Sequence, residues 1–165
     1  MDCSTISTTW QVRIQEADFD LSDEITAMRG GDAGIGAVAS FVGTVRAAPA
    51  DELQALELEH YPGMTERAIE AMVAEARQRF ELRAARVIHR VGRLEPGAQI
   101  VLVATASPHR RAAFQACEFL MDWLKTEAPF WKKEHTVAGS RWVDARVSDD
   151  EALARWGIAS GNRLG

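Results

Sequence analysis

The stretch QIVLVATASPHRRAAFQACEFLMDWLKTEAPFW, residues 99–131, decides the fold. Its first part, Gln99–Ala106, is a run of branched and small apolar residues, which predicts a strand. A helix is predicted over Pro108–Glu127, because the apolar residues that follow recur at helical spacing, namely Phe114, Cys117, Leu120, Met121 and Leu124. Pro129 is predicted to end this helix, since proline lacks the amide hydrogen and clashes with the preceding turn. The stretch therefore predicts a strand that leads directly into an amphipathic helix.

The segments on either side of this stretch add further strands and helices. Strand patterns predict five more strands, over Trp10–Ile14, Gly36–Arg46, Leu53–Tyr61, Ala85–Val91 and Arg141–Val147. Helical spacing and capping residues predict three more helices, over Leu21–Met28 with Asp20 or Ser22 as the N-cap, over Thr65–Phe80, and in a short segment that follows the capping box Ser148–Glu151 and includes Trp156.

The order of these elements, β-α-β-β-α-β-β-α-β-α, favours an α+β fold. Pairs of strands separated by helices predict a two-layer domain with a mainly antiparallel sheet and helices packed on one face. A doubly wound parallel fold would need a helix after nearly every strand, and this chain does not supply one. With 165 residues, we expect a single domain over 1–165 with flexible ends at 1–9 and 158–165.

Composition and charge argue against several classes of protein. Nineteen basic against twenty-four acidic residues give 19 − 24 = −5, which disfavours a general nucleic-acid or membrane-surface binder. The N-terminus has no signal-peptide pattern, and no apolar run approaches the length needed to span a bilayer, so we expect a cytoplasmic protein. Cys3 and Cys117 are too few and too separated for a disulfide framework or a zinc site.

Basic residues cluster at the start of the long helix. With Ser107 as N-cap and Pro108 as first helical residue, the next three residues are His109, Arg110 and Arg111. Cations are disfavoured at a helix N-terminus, whose free amide hydrogens attract anions, so the cluster indicates a site for phosphate. The alternative, in which the arginines pair with surface acids, remains open at this point.

Lysines flank a rigid aromatic segment at the other end of this helix. Lys125 lies before the sequence EAPFW, and Lys132 and Lys133 lie after it. A lysine packed against such a rigid, partly apolar segment can have its pKa lowered, which suits acid–base or nucleophilic chemistry. The local pattern alone favours the alternative, solvated lysines at a helix C-terminus. Arg46 closes the strand pattern GTVR, where it fits an anion contact or a surface ion pair equally well.

Other polar residues fit structural roles. His60 and His89 lie in strand patterns without ligand-like spacing, and His135 is predicted in a loop. Glu57 and Glu59 share the outer, solvated face of one strand pattern. The common hydrolase, nucleotide-binding and zinc-protease motifs are absent from the sequence.

Five segments together resemble the large subunit of molybdopterin synthase. They are GAVASFVGTVR (Gly36–Arg46), LELEHYPGMTERA (Leu56–Ala68), VIHRVGRLEPG (Val87–Gly97), SPHRRAAFQACEFLMDWLKTEAPFWKKE (Ser107–Glu134) and RWVDAR (Arg141–Arg146). The motifs are in order, and the resemblance spans nearly everything from Gly36 to Trp156. EHYPGMTE and LKTEAPFWK are long and unusual strings, so a chance match is improbable.

The resemblance implies a fold, an activity and partners. It implies an α/β-hammerhead domain that forms a homodimer at the centre of a heterotetramer. It implies a small ubiquitin-like subunit whose C-terminal Gly-Gly thiocarboxylate enters the site of the large subunit. There, sulfur passes to cyclic pyranopterin monophosphate (precursor Z), and two transfers make the dithiolene of molybdopterin. No metal and no resident cofactor are implied.

The resemblance also implies site residues. The two catalytic lysines of the family fall on Lys125 and Lys132. The substrate pocket maps onto a larger set, which is Thr44, Val45, Arg46, His109, Arg110, Lys125, Lys132, Lys133 and Glu134. Arg146 is a further candidate. Many relatives carry Asn after the VR of the first motif, whereas this chain has Ala47–Ala50 in a shorter loop, so contacts from this loop are not carried over.

Two other classes of function are weighed against this one. The first is a non-catalytic module that binds a ubiquitin-like tail and an anionic small molecule through the same basic pocket. The second, an unrelated phosphate-ester enzyme, is disfavoured because no metal cluster or nucleophile motif is present in the sequence.

Overall fold

The described part of the chain forms eight strands and three helices. It comprises residues 9–47, 53–143 and 154–157 of a computed structural model. The elements are β1 (Trp10–Gln15), α1 (Leu21–Arg29), β2 (Ala37–Thr44), β3 (Leu53–His60), α2 (Met64–Arg79), β4 (Ala84–Arg90), β5 (Gly92–Leu94), β6 (Gln99–Ser107), α3 (Arg110–Thr126), β7 (Phe130–Thr136) and β8 (Gly139–Val143).

The strands form two four-stranded sheets. Sheet A has the order β1-β4-β6-β2, and sheet B has the order β5-β3-β7-β8. Strands β1 and β4 pair in parallel, whereas the other pairs are antiparallel. The prediction of an α+β fold with a mainly antiparallel sheet and helices packed on it is therefore confirmed, while the described strands form two sheets where one was predicted.

Sheet A is covered by helices on both faces. Helices α2 and α3 bury their apolar sides against one face, and the resulting core is centred on Val87, Val103, Phe119 and Leu120. Helix α1 packs Met28 against the opposite face, so the prediction of helices on one face alone is wrong. The sequence pattern of α1 predicts which side of the helix is apolar, but it does not predict which face of the sheet that side packs against.

The predicted element bounds hold for most of the chain. Asp20 is the N-cap of α1, and its side chain accepts a hydrogen bond from the backbone of Asp23. Helix α3 begins at Arg110 with His109 as N-cap, so the prediction of Ser107 as N-cap was wrong. Ser107 is instead the last residue of β6, and its hydroxyl accepts a hydrogen bond from the His109 amide at 3.1 Å.

Two strands were not predicted. Strand β5 has only three residues, and β7 carries five consecutive polar residues, Lys132–Thr136, that hide any alternation. His135 lies in β7 and not in a loop, because β7 pairs along the length of β3. The last predicted strand lies at Gly139–Val143, and its predicted continuation to Val147 falls outside the described residues, as do the capping box and the chain ends.

An ion-pair cluster joins α1 to sheet A. The carboxylate of Glu24 accepts a hydrogen bond from Arg86 at 2.6 Å and a second one from Arg13. The Arg86 side chain is 3% exposed and that of Glu24 is 16% exposed. A carboxylate in this position balances guanidinium charge that water cannot reach, which makes it costly to remove.

Among the described residues, no helix has the length and apolar character needed to cross a membrane.

Substituting Glu24→Gln should lower the free energy of unfolding by about 3 kcal/mol, because it leaves Arg86 buried without this countercharge. Urea denaturation of the variant and the parent protein measures the difference. Glu75→Gln is the matched control, since the Glu75–Arg79 pair is an exposed pair along α2 and should change stability by no more than about 0.5 kcal/mol. Equal losses in the two variants would contradict the assignment.

Candidate functional site

The packing of α3 on β6 is antiparallel, so the two ends of the helix lie at opposite ends of the domain. The Thr105 hydroxyl donates to the carbonyl of Ala113 at 2.7 Å, and the Cys117 thiol lies 3.7 Å from the carbonyl of Val103. Moving forward along α3 therefore means moving backward along β6. The C-terminal end of α3 accordingly lies at the end of sheet A where β6 begins.

Strand β2 brings Thr44, Val45 and Arg46 to the same end as Lys125. In the antiparallel pairing of β2 with β6, Ala37 lies opposite Ser107 and Thr44 lies opposite Gln99. Val45 is 3% exposed and is fixed by two backbone hydrogen bonds, from its amide to Ala98 and from the Gly97 amide to its carbonyl. Arg46, the next residue, is exposed.

Lys125 and Lys132 lie on either side of a firmly held connection. Lys125 is exposed in the last turn of α3, and Lys132 is exposed in β7. Between them, Ala128 is buried, and the carbonyl of Pro129 accepts a hydrogen bond from the Thr65 hydroxyl at 3.2 Å. The connection therefore holds the two lysines in a defined relation.

The pleat of β7 separates its site residues onto two faces. Lys132 pairs with Leu58 and Glu134 pairs with Leu56. Directly opposite residues of an antiparallel pair share a face, so Lys132 and Glu134 lie on the face of sheet B that packs over Val45. Glu134 also binds Arg141 in an exposed ion pair at 3.1 Å.

Lys133 lies on the other face of sheet B. It pairs with Glu57 and Trp142, and its ammonium lies 5.5 Å from the centre of the Trp142 ring. On this face, His135 bridges the Glu57 carboxylate and the Ser140 hydroxyl, at 2.7 Å to each. The hydrogen bond from His135 holds the pKa of Glu57 below its usual value.

His109 and Arg110 lie at the opposite end of the domain. Arg110 and Lys125 are separated by 125 − 110 = 15 residues of one continuous helix, which corresponds to about 22 Å. One small ligand cannot touch both in a single chain. The structure therefore brings seven of the nine predicted pocket residues to the lysine end or to the adjoining β7, and leaves these two apart. Arg146 lies outside the described residues.

A buried histidine adjoins the lysine end, and the sequence did not single it out for the site. The ring of His89 stacks on that of Phe130, with centroids 3.8 Å apart and an angle of 17°. Burial lowers the pKa of His89 to about 4, and the nearby Lys132 and His60 contribute to the shift. The sequence carries no signal for this contact, because stacking between two sheets leaves no periodic pattern. Among the described residues, no three His, Cys, Asp or Glu side chains gather as metal ligands would.

Comparisons with known proteins agree on one family. The sequence model of the MoaE protein family matches residues 14–127. The molybdopterin synthase catalytic subunit of Ralstonia nicotianae is 62% identical over 152 residues, which cover 92% of this chain and 86% of that protein.

Solved structures agree with the sequence comparison. The molybdopterin biosynthesis MoaE protein from Burkholderia ambifaria has a TM-score of 0.78 and 59% identity, and the match covers 90% of this chain and 98% of that one. A more distant structure, a complex of subunits 1 and 2 of the molybdopterin-converting factor from Helicobacter pylori, has a TM-score of 0.69 and 21% identity, covering 82% and 91%. At that identity the likeness shows the fold alone.

The buried His89 should make stability depend on pH. In the unfolded chain, this residue takes up a proton as the pH falls below its ordinary pKa of 6.5. In the folded chain, its pKa is about 4, so it takes up the proton only near that pH. The free energy of unfolding should therefore rise between pH 4 and pH 6.5, by about 3 kcal/mol from this group. Urea denaturation across this range should show the rise in the parent protein and a smaller one in His89→Phe. The exposed His109 provides the control, and a His109→Gln profile unlike that of the parent would contradict this origin.

Proposed function

The chain belongs to the MoaE protein family, and we propose that it is the sulfur-transferring subunit of molybdopterin synthase. In this proposal, it passes sulfur from the C-terminal thiocarboxylate of a small ubiquitin-like subunit to cyclic pyranopterin monophosphate. The observation that carries the proposal is the convergence of Arg46, Lys125 and Lys132 at one end of the domain. Such a site offers positive charge for an anionic tail and an anionic substrate together.

The chemistry asks little of the protein beyond placement and charge. The thiocarboxylate sulfur attacks an oxygen-bearing carbon of the substrate side chain. A carbon–sulfur bond forms, a carbon–oxygen bond at the same carbon breaks, and the displaced oxygen leaves as water or with the phosphate group. Water then cleaves the bond between the sulfur and the acyl group of the partner, which leaves as a carboxylate. Lys125 assists proton transfer or stabilises the developing negative charge, and Lys132 shares this work. Holding both anions in one site makes the attack effectively intramolecular.

A second copy of the chain completes the pocket in this proposal. His109 and Arg110 lie about 22 Å from Lys125 along α3, so they serve the same substrate only when another copy supplies them. Strand β2 is an edge strand of sheet A, and Val38, Phe41 and the neighbouring Phe114 of α3 are exposed. Antiparallel contact between two β2 edges would bring the Ala37 end of one copy beside the Thr44 end of the other.

The partner in the proposal is the small subunit itself. The Helicobacter pylori structure that shares this fold is described as a complex of two subunits of the molybdopterin-converting factor. The proposed heterotetramer, built on a central homodimer, is what the family resemblance implies. In this proposal, the Gly-Gly tail of the small subunit reaches the lysine end and contacts Glu134 on the face of Lys132, whereas Lys133, on the other face of sheet B, would contact the body of the small subunit. No resident metal or cofactor takes part in the proposed reaction, which we place in the cytoplasm with the rest of cofactor biosynthesis.

The alternative function is a module that binds the tail and an anion without chemistry. Docking requires positive charge at the lysine end, which arginine supplies as well as lysine. Acid–base work requires an ammonium that can give up a proton, which a guanidinium does not do. Lysine-to-arginine variants therefore separate the two functions.

Lys125→Ala should reduce dithiolene formation at least about a thousandfold, since it removes a group that stabilises charge in the reaction. The assay mixes the purified chain with a thiocarboxylated small subunit and precursor Z, and product is measured as molybdopterin. Size-exclusion chromatography should show that Lys125→Ala still binds the small subunit. Full turnover by this variant would overturn the proposal.

The arginine variants discriminate against the binding module. Lys125→Arg and Lys132→Arg should bind the small subunit as tightly as the parent protein and make almost no product. Arg77→Lys, at an exposed position of α2, is a conservative change away from the site and should retain full activity. Equal product formation by Lys125→Arg, Lys132→Arg and the parent protein would show that positive charge alone suffices, which would contradict the acid–base role of the lysines; the binding module predicts that the parent protein itself makes no product.

Mixed subunits test the shared pocket. Lys125→Ala and the double variant His109→Ala/Arg110→Ala should each be inactive alone. Unfolding and refolding them together should restore about a quarter of the parent activity, because half of randomly mixed dimers are mixed and each of these has one intact site of two. Separately refolded proteins provide the control. No recovery, in a mixture shown by mass spectrometry to contain mixed dimers, would mean that each site lies within one chain.

A further inference from the structure

A buried histidine connects sheet A to the strand that carries Lys132. His89 is the next-to-last residue of β4 in sheet A, and its ring lies flat on that of Phe130, the first residue of β7 in sheet B. Only 9% of His89 is exposed. The stack is therefore a contact between the two sheets at the point where the chain enters β7.

The stacked Phe130 and Lys132 lie on the same face of β7. Phe130 and Lys132 are two residues apart in one strand, so their side chains leave the same face of sheet B. Phe130 also lies opposite His60 in the pairing of β7 with β3, and the centres of these two rings are 6.4 Å apart. Phe130 thus contacts two imidazoles, one stacked on its face and one on the neighbouring strand, and it lies in the strand that carries Lys132.

The orientation of the His89 ring is fixed by a hydrogen bond. Its Nδ1 lies 2.8 Å from the backbone carbonyl of Arg90, and a carbonyl oxygen can only accept, so Nδ1 carries the hydrogen. The ring is neutral near neutral pH because burial disfavours its charged form. A neutral ring also avoids placing a second positive charge beside Lys132.

We propose that His89 is a positioning residue for sulfur transfer, which fixes the ammonium of Lys132 relative to Lys125 through its stack on Phe130. This inference rests on the function proposed above. Lys125 is placed by α3, whereas Lys132 lies beyond the connection that ends at Phe130. The stack and the hydrogen bond from Thr65 to Pro129 both hold the end of that connection where β7 begins, so a loss of the stack loosens the second lysine and spares the first.

Two apolar variants of similar size isolate the stack. His89→Phe and His89→Leu both remove the hydrogen bond to Arg90, but only phenylalanine can stack on Phe130. Val87→Ala is the control for lost core packing, because Val87 lies two residues earlier on the same face of β4 and is fully buried in the same core. Each variant is assembled with the thiocarboxylated small subunit, and single-turnover rates with precursor Z are measured below the melting temperature of the least stable one.

His89→Leu should lower the rate at saturating precursor Z at least about tenfold, because small misplacements of a catalytic group are costly. His89→Phe should retain the rate within about threefold, and Val87→Ala should do so at any comparable loss of thermal stability. The KM for precursor Z should change less than kcat in His89→Leu. The alkaline limb of its pH–rate profile should shift, since the surroundings of Lys132 change, while that of Val87→Ala should stay in place.

Equal rates for His89→Leu and His89→Phe, or equal losses in His89→Leu and Val87→Ala, would overturn the positioning role. These outcomes are distinct from a failure of the proposed function itself. In that case, the parent protein would make no dithiolene product with its partner, or Lys132→Ala would be as active as the parent.

Discussion

The packing of α3 against β6 is the constraint on which the rest of this structure depends. Ala113 and Ala116 are fully buried where the helix meets the sheet, and their small side chains let the two backbones come close. At the start of the helix, a Cβ on Gly36 would lie 2.2 Å from the carbonyl oxygen of Pro108, so only glycine fits there. Helix α3 therefore runs antiparallel to β6. The position of a residue along either element determines which end of the domain it lies nearer to.

Sheet B inherits its position from this constraint. Strand β7 follows α3 after a few residues, so it must begin at the lysine end, and it carries Lys132 on the face that packs over Val45. The burial of Val45 in turn keeps Arg46 beside that face. The candidate site is therefore assembled from the end of β2, the end of α3 and the start of β7, which meet because α3 runs antiparallel to β6. Its residues lie close together in space although they are far apart in the sequence.

The sequence predicted what local patterns determine and missed what pairing determines. Helix α3 and strand β6 were predicted because each has a clear apolar pattern in its own sequence, helical spacing in α3 and a continuous apolar run in β6. Strand β7 was missed because Lys132–His135 has no alternation, and its extended state comes from pairing with β3 at long range. The separation of Arg110 from Lys125 was available from the predicted length of the helix, since rise per residue alone fixes it. The neighbours of His89 were not available, because stacking across two sheets leaves no periodic pattern.

The openness of the site in one chain explains why association belongs to the proposed reaction. Arg46, Lys125 and Lys132 are all exposed, and charges in open water attract an anion only weakly. The docked tail of a partner and the His109–Arg110 end of a second copy would each cover part of this surface and exclude water. The same lysines would then act on charge in a less polar environment, where their effect is much larger. In the proposed reaction, the single chain therefore fixes the positions of the lysines, and the assembly provides the low dielectric in which their charges act strongly.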